Sequence, residues 1–105
     1  MDTSKGEIVY GGKVNAEVKH IQPTIIINPA NDSPLMNEEI FGPILPILVY
    51  KNLDEVINYI NEKPKALAVY FFGQSASADA GRVFNETSSG CFSTNECIMQ
   101  CVSHY

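Results

Sequence analysis

Cations are scarce in this 105-residue chain, with seven Lys and Arg against twelve Asp and Glu and a net charge of −5. The sequence pI lies near 4.8, and the few basic residues are scattered. A nucleic-acid surface, which needs clustered Lys and Arg, is therefore disfavoured. Long apolar runs are also missing. The longest, Ala66 to Phe72, falls far short of a membrane span, and the opening Met1-Asp2-Thr3-Ser4-Lys5-Gly6 lacks the apolar core of a signal peptide. A soluble, intracellular, cytoplasmic protein is expected. Neither Gly-x-Gly-x-x-Gly nor Gly-x-x-x-x-Gly-Lys-Ser/Thr occurs, so there is no complete dinucleotide or phosphate-loop fingerprint. A Gly-x-Ser-x-Gly nucleophile elbow is absent as well.

Cysteine is nearly absent: Cys91, Cys97 and Cys101 are the three. An odd count without a secretion signal favours free thiols, and the spacing does not match the Cys-x-x-Cys pairs of structural zinc sites. No metal site is expected. Cys101 and His104 are three residues apart, so a Cys–His pair on one helical face is conceivable, although a chain end is a poor place to hold a nucleophile rigid. Small buried cysteines are the plainer reading. His20, between Lys19 and Gln22, reads as a surface residue.

The residues that are present can build a core. Apolar types make up 45% and charged types 18%, a globular composition, and the length suits one domain or part of one. Glu7-Ile8-Val9-Tyr10 followed by Gly11-Gly12, and the β-branched run Pro23 to Asn28, predict extended structure with a polar connection between them. Pro29 to Pro34 is dense in turn formers. Ile44 to Tyr50 suits a buried strand, with Pro46 forcing pairing to begin at Ile47 or leaving an open edge.

Asn52 with Glu55 predicts a capped helix start, Leu53, Val56, Ile57 and Ile60 its buried stripe, and Pro64 its end. Ala66 to Phe72 predicts a strand covered on both faces. Ser77 caps a second helix with Ala80, Val83 and Phe84 inward, Ser88-Ser89-Gly90 stops it, and Cys91 to Thr94 forms a last strand. The fold class is α/β, a parallel β-α-β-α-β core from Ile47 to Thr94 preceded by extended strands, with right-handed crossovers.

The densest chemistry lies in Glu38-Glu39-Ile40-Phe41-Gly42-Pro43. Two readings are open. The carboxylates can be solvated charges before a turn, with Phe41 a core anchor and Gly42-Pro43 a stop. Alternatively, one carboxylate accepts both protons of a vicinal diol, and Phe41 offers an apolar wall to a flat heterocycle. On this second reading Gly42 supplies unusual backbone angles for the bend and Pro43 a fixed φ. Spacing does not choose between them.

The hexapeptide resembles the Glu-Glu-Ile-Phe-Gly-Pro motif of the NAD(P)-dependent aldehyde dehydrogenases, and its surroundings agree in order. Pro23-Thr24-Ile25 is similar to the family's Pro-Thr-Ile/Val-Leu strand, and Ser33-Pro34-Leu35-Met36 to Ser-Pro-Val-Met. Ile60 to Pro64, Ala66 to Tyr70, Glu86-Thr87-Ser88-Ser89-Gly90 and Asn95 resemble the class 3 branch. The resemblance runs from about Gly11 to His104.

It implies that Glu39 binds the nicotinamide-ribose hydroxyls of NAD or NADP, that Phe41 lines the nicotinamide side, and that Asn95 stands at the inner end of the substrate cleft. Asn37 and Glu38 are read as structural. No catalytic residue is assigned here, because the family's nucleophilic cysteine, general-base glutamate and Rossmann-like domain precede this region and the three cysteines do not match the nucleophile. Residues 1–105 are accordingly expected to be a single partial domain, from the later half of a catalytic domain.

The implied parent oxidises an aldehyde to a carboxylic acid. Its partners would be the aldehyde substrate, a second copy or the remainder of the enzyme, with no nucleic acid and no membrane segment. The alternative is a catalytically inactive truncated module acting in assembly or interaction.

Overall fold

The computed structural model describes residues 6–74 and 77–99. The chain divides into two compact units, one up to Val49 and the other from Tyr50 onward.

In the first unit, β1 (Glu7–Tyr10), β4 (Thr24–Ile27) and β5 (Ile44–Ile47) make a three-stranded sheet in the order β1-β4-β5. β1 is antiparallel to β4, with an irregularity between Ile8 and Tyr10, and β5 runs parallel to β4. The polar connection forms a small antiparallel pair, β2 (Val14–Asn15) and β3 (His20–Ile21). The central strand carries buried Thr24 and Ile26, and Pro29 just after it is buried as well.

Thr24 is polar yet only 2% exposed, and its hydroxyl explains how. It accepts from the Gly12 N–H at 2.9 Å and donates to the Gln22 carbonyl at 2.7 Å, so its burial leaves no hydroxyl capacity stranded. Gly11 beside it cannot be another residue cheaply. Its φ is +79°, and a Cβ there would lie 2.0 Å from the Pro23 carbonyl oxygen.

The loop before β5 holds a four-residue helix, α1 (Pro34–Asn37). The Asn37 side-chain amide donates to the Asn31 and Ser33 carbonyls, tying loop to helix in the structural role expected of it. Pro46 lies opposite Ile26 on an outer strand, where a missing N–H costs no ladder bond to a further strand. The expected buried strand from Ile44 to Tyr50 is shorter and wetter than its composition suggests. It ends at Ile47, and Leu45, Ile47, Val49 and Tyr50 are exposed.

In the second unit, α2 (Leu53–Glu62) starts at the expected cap. Asn52 Oδ1 accepts from the Glu55 N–H at 3.1 Å, and Glu55 in turn accepts from Lys51 N–H and Asn52 Nδ2. Ile57 is its buried residue. The strand β6 (Ala66–Phe71), the helix α3 (Ala78–Glu86) and the strand β7 (Ser89–Thr94) form a β-α-β unit with β6 and β7 parallel. Ser77 Oγ caps α3 by accepting from Ala80 N–H at 3.2 Å, and Ala80 and Val83 are buried.

Arg82 joins the two helices, reaching Asp54 on α2 at 2.7 Å and Glu86 on its own helix at 2.8 Å. Asn61 adds a bond from its amide to the Glu86 carbonyl.

The α/β class with parallel pairs stands, and four details differ from expectation. The partner of β5 is β4, so the parallel arrangement is built as separate pairs rather than one β-α-β-α-β ladder among the described residues. Phe84 is 60% exposed instead of inward, and its ring meets Phe92 edge-on with centroids 5.4 Å apart. β6 is not covered on both faces by the described residues, and Leu67 stands 86% exposed. β7 also begins earlier than Cys91, since Gly90 approaches Leu67 so closely that a Cβ would lie 2.6 Å from its carbonyl oxygen.

Candidate functional site

The hexapeptide links α1 to β5, and its backbone is anchored at the β5 end. The Thr24 N–H donates to the Pro43 carbonyl at 2.8 Å, and the Ile44 N–H closes a three-residue turn onto the Gly42 carbonyl at 2.9 Å. Asn28, in the left-handed region at φ 47°, secures the other end of β5 by donating its N–H to Ile47 and accepting from Val49. The turn therefore rests on the most buried strand of its unit.

Its side chains face outward. Glu38 and Glu39 are exposed, and Phe41 is 92% exposed, so Phe41 does not serve this unit as a core anchor. Gly42 corrects one expectation. Its φ is not in the left-handed region, and a Cβ there would meet nothing within 4 Å. The bend comes from Pro43 and the bond to Thr24, while the positive-φ glycines are Gly11 and Gly12.

Chemically, the turn offers a carboxylate and a free aromatic face two residues apart. An ionised carboxylate can accept two hydroxyl protons, and a ring with an open face can cover a planar heterocycle.

Asn95 belongs to the second unit and is placed quite differently. It follows β7 at φ 58°, its N–H donating to the Phe71 carbonyl at 2.7 Å. Its side-chain Oδ1 accepts from the Gly73 N–H and its Nδ2 donates to the Gly73 carbonyl, both at 2.9 Å. This amide-to-backbone pair was not anticipated from sequence. The available signal was an asparagine directly after a strand, a residue type enriched at positive φ.

A hollow of about 230 Å³ also went unanticipated, between the end of α3 and the start of β7, lined by Phe84, Phe92, Ser88 and Cys91 among others. Cys91 is half-buried and Cys97 exposed, both as free thiols. The Cys101–His104 pair lies outside the described residues. Among the described residues, no three His, Cys, Asp or Glu side chains are grouped to hold a metal, and no helix is long and apolar enough to cross a membrane. The Glu86 carboxyl is held below the ordinary carboxylate range by the hydrogen bond from Arg82.

The sequence model of the Aldehyde dehydrogenase family matches residues 2–104. The chain belongs to the aldehyde dehydrogenase family. Its relatives include the Arabidopsis thaliana aldehyde dehydrogenase family 3 member F1, 44% identical over 91% of this chain and 20% of that one. The Mus musculus family 3 member A2 is 45% identical over 90% and 20%. The 4,4'-diaponeurosporen-aldehyde dehydrogenase of Staphylococcus aureus is 41% identical over 94% and 21%.

Among solved structures, the substrate-bound Staphylococcus aureus AldH superposes with a TM-score of 0.83 at 42% identity, over 91% of this chain and 21% of that one. An indole-3-acetaldehyde dehydrogenase in complex with NAD+ gives 0.76 at 26% identity, over 91% and 20%. The sequence likeness is to family 3 members, and the fold likeness is to aldehyde dehydrogenases. The chain spans about a fifth of the length of these relatives.

Proposed function

We propose that this chain is part of an enzyme oxidising an aldehyde to a carboxylic acid, and that it supplies the nicotinamide-ribose end of an NAD(P)+ site. One observation carries the reading: an exposed Glu39 and a 92% exposed Phe41 share a turn whose backbone is pinned to the buried strand β4. Glu39 would hold the ribose hydroxyls through two charge-assisted bonds, and Phe41 would pack on the nicotinamide face and keep water from it. The dinucleotide, when bound, supplies the hydride acceptor. Residues 1–105 would form one partial domain, with Asn95 contributing to the cleft wall. The covalent step needs a cysteine outside this chain, since Cys91, Cys97 and Cys101 do not match the family's nucleophile.

The first test is the intact mass of the protein from its source, expected to be several times the 11.6 kDa of this chain. That protein should form NAD(P)H on addition of an aldehyde. Glu39→Gln should raise its KM for NAD(P)+ by about tenfold, as loss of a charged hydrogen-bond acceptor implies. An unchanged KM would remove Glu39 from the site. The purified 105-residue chain should form no NAD(P)H, and any it formed would refute the assignment of chemistry elsewhere.

A second reading, an inactive module used in assembly, draws on the exposed apolar residues of the second unit, Leu67 foremost. A source protein of 11.6 kDa without activity would favour it.

A further inference from the structure

β6 and β7 run parallel, with Phe71 opposite Thr94 at their ends, so the segments leaving the two strands emerge at the same edge. That edge is the carboxyl end of a β-α-β pair, where open α/β sheets receive ligands. Residues 72–74 leave from one strand and Asn95 from the other. The ladder continues one step past the strands through Asn95 N–H to Phe71. Beyond it the Asn95 amide grips the next backbone unit twice, Oδ1 taking the Gly73 N–H and Nδ2 donating to the Gly73 carbonyl. This pair of bonds acts on Gly73 as a further strand residue would, but from a side chain. The φ of 58° turns Asn95 into position, an angle Asn tolerates better than most residues.

We propose that Asn95 is a positioning residue, whose side-chain amide fixes the path of residues 72–74 at the carboxyl end of β6 and shapes the cleft wall through Gly73. This rests on the functional reading above for the word cleft, while the clamp itself is a property of the fold. The donor and acceptor must both be present. Asn95→Asp retains size and tolerance of the backbone angle, but an ionised carboxylate would face the Gly73 carbonyl oxygen that now receives a proton. Protonating that carboxyl restores a donor.

The test is amide hydrogen exchange on the protein as isolated from its source, with Gly73 protection taken relative to its intrinsic rate. At pH 7 Asn95→Asp should lower that protection by about tenfold, the loss expected when one net hydrogen bond disappears. It should regain most of it near pH 3.5, roughly below the ordinary Asp pKa. Asn95→Gly relieves the backbone angle and removes the amide, so its loss should persist at both pH values. Wild-type protection in either variant at pH 7, or failure of acid to rescue Asn95→Asp, overturns the clamp.

If the variants do not fold, the unsubstituted chain decides: nuclear Overhauser contacts between the Asn95 side-chain amide and the Gly73 N–H are expected, and their absence overturns the proposal. In the source protein, Asn95→Asp should raise the aldehyde KM by more than it lowers kcat. A drop in kcat with unchanged KM would overturn the positioning role. A source protein that oxidises no aldehyde refutes the functional reading, and Gly73 exchange still decides the clamp.

Discussion

The Glu39–Phe41 turn and the Asn95 turn both follow from the same kind of sequence, a polar residue beside a conformational break, and they use it in opposite ways. The first fastens its backbone, Pro43 to Thr24, and leaves Glu39 and Phe41 facing outward. The second commits its side chain to its own backbone at Gly73. An outward carboxylate and ring are available to a ligand, whereas an inward amide shapes the wall around one. Residue type alone does not separate these roles; hydrogen-bond direction does.

If the first turn depends on its frame, damage to that frame should have the largest effect. Gly11→Ala places a Cβ 2.0 Å from the Pro23 carbonyl oxygen at φ +79°. A loss of about 3 kcal/mol or more is expected in urea unfolding, from backbone strain plus steric displacement. A loss below about 1 kcal/mol would mean that β1 and β4 can separate without harm to the unit.

Thr24→Val is the next largest. It keeps the shape but strands the Gly12 N–H and the Gln22 carbonyl, for about 2 kcal/mol. The same variant should increase exchange at Ile44, whose N–H belongs to the Pro43 turn. Unaltered exchange there would break the link between the buried strand and the turn.

How much of this was legible depends on how far apart the partners lie. The Asn52–Glu55 cap and the Ile57 stripe were readable because the partners sit within one helical turn. The choice of β4 by β5 was not, since an apolar strand carries no label for its neighbour, and pairing is decided by contacts distant in sequence. Thr24 looked like any β-former, and only Gly12, twelve residues earlier, gives its hydroxyl a purpose. Phe84 fits the inward stripe by period yet is exposed, and its ring contact is to Phe92, eight residues on in the next strand. Glu39 and Phe41 were open to two readings on physics, and family resemblance rather than spacing singled them out. Their exposure is what the physical argument adds.

A paired substitution sharpens the contrast between the turns. Phe41→Ala should leave stability within about 0.5 kcal/mol of the parent, as expected for an exposed side chain. Asn95→Ala should cost about 1 kcal/mol or slightly more, from the lost amide bonds and an unfavourable φ for Ala. Urea midpoints of both variants at constant slope are the measurement. Equal losses would erase the distinction between a presented and a committed side chain.

The smallest effect concerns the brace between the two helices of the second unit. Arg82 holds Glu86 through two hydrogen bonds, from Nε at 2.8 Å and Nη2 at 3.0 Å, and Asp54 through a third. Glu86 is depressed from its ordinary value of 4.5, with that hydrogen bonding as the main cause. A carboxyl depressed on folding contributes stability at pH values above its unfolded pKa, and the contribution disappears as pH falls through the folded one. Arg82 is raised far above the accessible range and stays charged throughout, so the loss on acidification follows the carboxylate. The groups are solvent-exposed, and the contribution should be small and weakened by salt.

Between pH 7 and pH 3, Glu86→Gln should therefore show a smaller fall in urea midpoint than the parent, and 0.5 M NaCl should narrow the difference. If the two fall in parallel, the Arg82–Glu86 pair adds nothing to the stability of the unit.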